Sequence, residues 1–244
     1  MKTVARPSGP WTKHIHNMLR SLRENGFVQA PEPLGFDSQG QELISFVAGK
    51  TCDYPLSKDV ASLQALTSAA QLLRRYHDAS HHFLNKNDVS HQEWMLPCRE
   101  PQEVMCHSDF APYNICFEGR EAVGIIDFDT AHPEPRIWDI AYALYRFAPF
   151  MNPKNEDGFG ALEEQILRAC TFCNAYGLDK QGRYELTDLI IKRIRCLVDF
   201  LMYAACQGQK KYEVNLQQGH HFKYLADIDY ITLHKARIQE ELNK

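Results

Sequence analysis

The chain has 244 residues, a formal net charge of −4, 44% hydrophobic residues and 24% charged ones. That balance describes a folded protein with a sizeable core, enough for one large or two small domains, and not a disordered chain. The acidic charge offers no basic face for nucleic acid. No apolar run approaches a membrane span, and Met1 to Trp11 lack the apolar core of a signal peptide, so a cytoplasmic protein is expected. The eight cysteines are then expected as free thiols, and Cys170-x-x-Cys173, lying inside a helical pattern without a second pair at zinc spacing, reads as helix packing.

In chain order, residues 4 to 6 form a short strand that Pro7 to Pro10 breaks. Thr12 is the expected N-cap of a helix carrying Ile15, Met18, Leu19 and Leu22 on one face up to Gly26. Two strands, 33 to 36 and 42 to 47, flank the turn 37 to 40, and Ala48-Gly49-Lys50 releases the chain. A long helix opening at Ser57 or Asp59 turns Leu63, Leu66, Ala70, Leu73 and His77 inward. His77, His81 and His82 read as helix-end histidines favourable to the dipole, because no carboxylate completes a metal site around them. Residues 85 to 101 are polar and turn-rich, anchored by Trp94 and Leu96.

The most informative stretch follows. Val104 to Cys106 is an apolar approach to His107-Ser108-Asp109, and Asn114 comes five residues after Asp109. A brief strand at 115 to 117, a tight turn at 118 to 120 and a β-branched strand at 123 to 126 then deliver Asp127, Phe128 and Asp129. A hairpin of this size brings its ends together, so Asp109, Asn114 and Asp127 can meet at one point. After a proline-containing loop at 130 to 135, a helix over 136 to 147 faces Ile137, Ile140, Ala141, Leu144 and Tyr145 inward, with Asp139 in its first turn, where the dipole favours a carboxylate. Three further helices are expected at about 159 to 176, 184 to 206 and 220 to 242. No repeat or linker marks independent domains.

Phosphoryl transfer needs a carboxylate to orient the attacking hydroxyl and oxygen ligands for the magnesium that bridges the nucleotide phosphates. Asp109 suits the first task, Asn114 and Asp127 the second. Each has a plainer reading as well: Asp and Asn cap turns, and His107 is a structural hydrogen bonder in a core. The ordered set H-x-D-x-x-x-x-N followed by a strand-borne D-F-x is more specific than any member, and it matches the kinase catalytic-loop and metal-loop pattern. Ser108 in place of an arginine, and Asp129 in place of the D-F-G glycine, point away from protein kinases.

With His107, Asp109, Asn114, Asp127 and the later Trp138-Asp139-Ile140-Ala141, the chain resembles the aminoglycoside phosphotransferase and choline kinase family. The resemblance runs from about residue 4 onward and is strongest over 104 to 147. It implies an α+β, protein-kinase-like two-lobe fold, with a reduced sheet lobe over 1–49, a hinge near 47 to 50, and a mainly helical lobe over 50–244. It implies Asp109 as catalytic base, Asn114 and Asp127 as Mg2+ ligands, and Asp139 as a brace beneath the catalytic loop. Backbone groups near Ser45, Phe46 and Val47 would meet the base of ATP or GTP, although an ordinary edge strand reads the same way. The acceptor would be a hydroxyl of a small molecule bound between the catalytic loop and the C-terminal helices. The acidic residues Asp129, Glu134, Glu156, Asp157 and Asp199 suit a cationic acceptor and read equally as solvated surface charge.

The N-terminal side departs from the pattern. The residues ahead of Arg6 are too few for a glycine-rich hairpin over the phosphates: either the sheet lobe is shortened and holds phosphates loosely, or the true start lies upstream of Met1. Arg6 is the one early cation placed to meet them, and the usual lysine–glutamate pair has no clear match, since the first helix holds Glu24 only at its far end. Two alternatives stand beside the kinase reading: a non-catalytic kinase-like protein that binds nucleotide or ligand, and a metal hydrolase using His107, Asp109 and Asp127, which lacks a second histidine at ligand spacing.

Overall fold

The computed structural model describes residues 2–244 and divides into two compact units, Met1–Asp139 and Ile140–Lys244. The first begins with β1 (Thr3–Arg6), α1 (Thr12–Glu24), β2 (Pro33–Phe36) and β3 (Glu42–Ser45). The strands form an antiparallel sheet in the order β1-β3-β2, and the register sets Arg6 directly opposite Glu42. Helix α1 buries Ile15, Met18, Leu19 and Leu22, the expected stripe, and His16 lies buried with them. Its start differs from expectation: Trp11 is the N-cap, and Thr12, the first helical residue, accepts from the Gly9 amide at 2.8 Å. Gly26, at φ 84°, closes the helix by donating to Arg23 O while Phe27 N reaches back to Leu22 O, the backbone pattern a left-handed glycine permits.

Helix α2 (Leu63–Lys86) is capped by Ser62, whose side chain accepts from Ala65 N. Ser57 and Asp59 precede it in turns, and Leu63, expected inside, is 43% exposed. The buried side of α2 instead runs through Ala65, Leu66, Ala69, Leu73, Tyr76 and His77. Strand β4 (Val104–Cys106) leads to the His107 loop and a single 3-10 turn at Pro112–Asn114. The hairpin β5 (Ile115–Glu118) and β6 (Glu121–Ile125) turns through Gly119 at φ 61°. Beyond it, β7 (His132–Glu134) pairs antiparallel with β4, in a stretch whose proline reads as loop from sequence. Pro133 is tolerated because the pair is two-stranded and leaves an edge. Helix α3 (Arg136–Phe147) begins at the end of this unit.

The second unit contains α4 (Leu162–Tyr176), α5 (Lys180–Cys206), α6 (Lys210–Gln217) and α7 (His220–Leu242). Ile166, Phe172 and Cys173 of α4, Ile190 and Ile194 of α5, and Ile231 and Ile238 of α7 are buried. Asp227 of α7 accepts from Asn152 N, Asn155 Nδ2 and the Tyr145 hydroxyl at 2.7–2.8 Å, which pins the 149–158 segment. Cys170 and Cys173 lie on α4 as free thiols, and burial pushes the Cys173 thiol up to about 12. Among the described residues no helix is long and apolar enough to cross a membrane.

Candidate active site

The loop after β4 is held from beneath. Asp139, wholly buried, accepts from the amides of His107 at 2.7 Å and Ser108 at 3.0 Å, and from His77 Nε2 at 3.1 Å. Ser108 has φ 64°, a left-handed conformation that costs a non-glycine residue energy, and the pair of bonds to Asp139 holds it there. Burial raises the Asp139 carboxyl, and the bonds from His77 and the field of both histidines outweigh it, leaving the group below its usual range. His107 donates from Nε2 to the carbonyl of Ile126 at 2.9 Å, so its Nδ1 is the atom that accepts from Asp109 N. His107 is thus a scaffold residue, as expected. Ser108 Oγ donates to Glu134 Oε2 at 2.9 Å, and Arg99 pairs with the other oxygen of the same carboxylate. Glu134 is fully buried, so it is not one of the solvated or substrate-facing acids that sequence allows.

The mouth of the loop gathers the chemistry. Asn114 donates from Nδ2 to Asp109 Oδ2 at 2.9 Å and to Asp109 O at 3.0 Å, while Tyr113 donates its hydroxyl to Asp109 Oδ1 at 2.7 Å. A carboxylate can only accept, so these contacts fix the amide of Asn114 with nitrogen toward Asp109 and turn Oδ1 away from it. The Asn114 carbonyl accepts from Ile126 N at 2.9 Å, which draws the end of β6, and with it Asp127, beside the loop. The three residues expected to converge are therefore joined through Asn114. Asp127 sits at φ 63° and is half exposed.

Asn114 and Asp127 line a cavity of about 670 Å3, together with Val4, Arg6, Ser45, Phe46, Val47, Lys50 and Ile126. Ser45, Phe46 and Val47 all reach it, but the Ser45 amide donates to Glu32 O and the Phe46 amide to Lys2 O, so their N–H groups are already engaged. Close approach of this segment to the β5–β6 hairpin depends on two glycines. A Cβ at Gly124 would lie 2.3 Å from Val47 Cγ1, and one at Gly49, which has φ 106°, would lie 3.0 Å from Cys116 Cβ. Lys50 then exchanges both backbone hydrogen bonds with Phe117 at 2.9 Å and enters the cavity wall, a second cation that sequence reasoning missed.

Arg6 is bound by three carboxylates: Nε by Glu42, Nη1 by Asp127 at 2.9 Å and Nη2 by Asp129. Burial disfavours its charge, but these partners, Glu42 foremost, raise it above its ordinary value. Burial also pushes Glu42 up, and hydrogen bonds from His16 and Arg6 overcome this and hold its carboxyl below the usual range. Asp129 is raised, first by burial and then by Asp127 and Glu42 against the opposing pull of Arg6. One guanidinium thus meets three carboxylates, with His16 also on Glu42 and Lys50 as the other cation lining the cavity. Sequence reading finds Arg6 but not Glu42 or His16; the signal available is an acidic residue opening a strand otherwise apolar on that side.

His77, Cys106 and Asp139 also bring one potential metal-ligand atom each within 4.8 Å, but both oxygens of Asp139 are taken by amides and His77. His81 turns its Nδ1 to Glu103 O. His77 and His81 are thus engaged structurally, but His77 differs from the helix-end reading: it lies buried in the middle of α2 and meets a carboxylate, Asp139, that sequence spacing does not bring near it.

Residues 85–169 match the model of the phosphotransferase enzyme family, APH. The chain is 28% identical over 193 residues to the trifolitoxin immunity protein of Rhizobium leguminosarum bv. trifolii, across 77% of this chain and 72% of that protein. Among solved structures it superposes on a choline/ethanolamine kinase family protein from Mesorhizobium loti with a TM-score of 0.61 at 14% identity, covering 100% of this chain and 87% of that one. It superposes on the Plasmodium vivax ethanolamine kinase at 0.60 and 15% identity, covering 97% and 77%. An amicoumacin kinase solved with AMP-PNP, Ca2+ and Ami gives 0.60 at 14% identity, covering 89% and 80%. The resemblance carried by His107, Asp109, Asn114, Asp127 and Asp139 is borne out: the central part of the chain matches the APH phosphotransferase family, and the whole chain has the protein-kinase-like α+β fold of the choline kinases and aminoglycoside phosphotransferases.

Proposed function

We propose that the chain transfers the terminal phosphate of ATP or GTP to a hydroxyl of a small molecule, with Mg2+ as the metal and a cationic, aminoglycoside- or choline-like compound as the acceptor. The observation that carries this reading is the junction at Asn114, which ties Asp109 on one side to Ile126 and Asp127 on the other, at the wall of a cavity of nucleotide size.

The residues present fit a divalent cation. Asn114 Oδ1 and the half-exposed carboxylate of Asp127 are hard oxygen donors, the preference of Mg2+, and Asp129 stands on the same guanidinium beside them. When bound, the ion neutralises charge developing on the phosphates. Asp109 takes the acceptor's hydroxyl proton on Oδ1, which Tyr113 releases by rotating its own hydroxyl, while Asn114 keeps Oδ2 fixed. The acceptor oxygen bonds to the terminal phosphorus as the bond from phosphorus to the bridging oxygen breaks, leaving the nucleoside diphosphate. Arg6 offers two parallel donors to phosphate oxygens, the fork for which arginine is suited. Ser45, Phe46 and Val47 form the base-binding wall, with Val4 and Ile126 as apolar contacts.

The test is transfer of labelled terminal phosphate from Mg-ATP or Mg-GTP to choline, ethanolamine and an aminoglycoside. Asp109→Asn is expected to lower transfer by about 10²–10⁴-fold without loss of nucleotide binding. One observation favours a second reading, a kinase-like nucleotide- or ligand-binding protein without catalysis: both oxygens of Asp109 already carry protein donors. Nucleotide binding with no transfer to any hydroxyl, and no hydrolysis, would select it.

A further inference from the structure

The phosphate-facing arginine has an anchor drawn from an unusual place. In Arg6 the three nitrogens divide their work: Nε goes to Glu42, and the two terminal nitrogens go forward to Asp127 and Asp129. Glu42 is itself immobilised. Its side chain is 2% exposed, its Oε1 accepts from His16 Nε2 at 2.9 Å, and its Oε2 holds Arg6. The His16 ring is stacked on Phe36 of β2, with centroids 5.1 Å apart. Helix α1 thus contributes a histidine to a strand glutamate, whereas its own Glu24 is exposed at the far end.

Resting on the nucleotide reading above, we propose that Glu42, set by His16, is the positioning residue that aims the two terminal nitrogens of Arg6 at the nucleotide phosphates. The geometry separates an anchor from a working end. Glu42 and Arg6 are register partners on adjacent strands, so the backbone pairing of β1 with β3 already brings them together. A surface ion pair of that kind contributes little, but this carboxylate is buried with both oxygens committed, so it cannot drift. Asp127 and Asp129 hold the forward nitrogens in the unliganded protein. In the nucleotide complex, Asp127 would hold the cation, and the two forward nitrogens of Arg6 would donate to phosphate oxygens in place of Asp127 and Asp129. Nε need not leave Glu42 during the exchange, so the side chain loses little freedom when nucleotide arrives.

The experiment is calorimetry on the full chain in the presence of Mg2+, with adenosine and ATP as separate probes, on wild type, Glu42→Gln, Arg6→Ala and the double variant. Glu42→Gln is expected to weaken ATP about tenfold, the scale of a hydrogen bond to a charged group, with adenosine changed by less than about twofold. In the Arg6→Ala background, Glu42→Gln should cost ATP nothing further, a non-additivity that a merely structural role does not produce. Glu42→Asp keeps the charge and shortens the arm by one methylene; it serves if the glutamine variant fails to fold, and about threefold weaker ATP with unchanged adenosine is expected of it. Equal losses for adenosine and ATP, or additive losses in the double variant, overturn the positioning role while leaving the nucleotide site standing. Wild type that binds neither probe overturns both this inference and the reading beneath it.

Discussion

Asp139, in the first turn of α3, and Asp127, just past β6, both flank the His107 loop, yet their surroundings are opposite. Asp139 lies wholly buried under the loop with two amides and a histidine on its carboxylate. Asp127 stands half exposed at the loop's mouth, with one forward nitrogen of Arg6 on Oδ1. The first carboxylate has both oxygens engaged by buried protein donors and helps hold a left-handed Ser108. The second keeps an open face. Burial and donor count, more than residue type, separate the brace from the candidate ligand.

Substitution at the floor should break the comparison most visibly. Asp139→Ala removes the buried acceptor of the His107 and Ser108 amides and of His77 Nε2, at a cost on the order of 3 kcal/mol to folding. Urea unfolding checks this; a stability equal to wild type would remove the bracing role.

Acid should act on the same buried groups. Burial lowers His77, against the opposing pull of Asp139, so below pH about 6.5 the unfolded chain takes up a proton that the folded one refuses. Glu42 and Asp139 are also lowered in the fold, so their stabilisation is present above the unfolded carboxylate range and is lost as pH falls through the folded values. Asp129 and Asp227 are raised and offset part of the carboxylate loss. The melting temperature should therefore begin to fall below pH about 6.5 through His77, with Asp129 and Asp227 opposing it, and fall further below pH about 4 through Glu42 and Asp139. A flat profile over that window would contradict a His77 held neutral in the core.

The site was legible in sequence where its spacing is local. Asp109, Asn114 and Asp127 belong to one loop and one hairpin, whose turn and β-branched strand announce themselves, and Asp139 follows in the first turn of the next helix. The Arg6–Glu42–His16 anchor was not legible, because it needs the register of β1 on β3 across 36 residues and the strand order that no periodicity encodes. Helix α6 escaped for a different reason: it buries none of its residues, so it has no apolar stripe to display. The two-stranded pairing of β7 was hidden by Pro133, which marks loops far more often than edge strands.

If the open carboxylate at the mouth is a metal ligand for a nucleotide site, thermal shift reveals it most directly. Wild type and Asp127→Asn are melted alone, with Mg2+, with ATP, and with Mg-ATP and Mg-GTP. Wild type should gain stability with at least one nucleotide only when Mg2+ is present. Asp127→Asn should lose that gain while its unliganded stability stays within about 0.5 kcal/mol of wild type, as for an exposed position. If the wild-type protein shows no Mg-dependent shift and Asp127→Asn unfolds the unliganded protein, Asp127 is structural and the account is wrong.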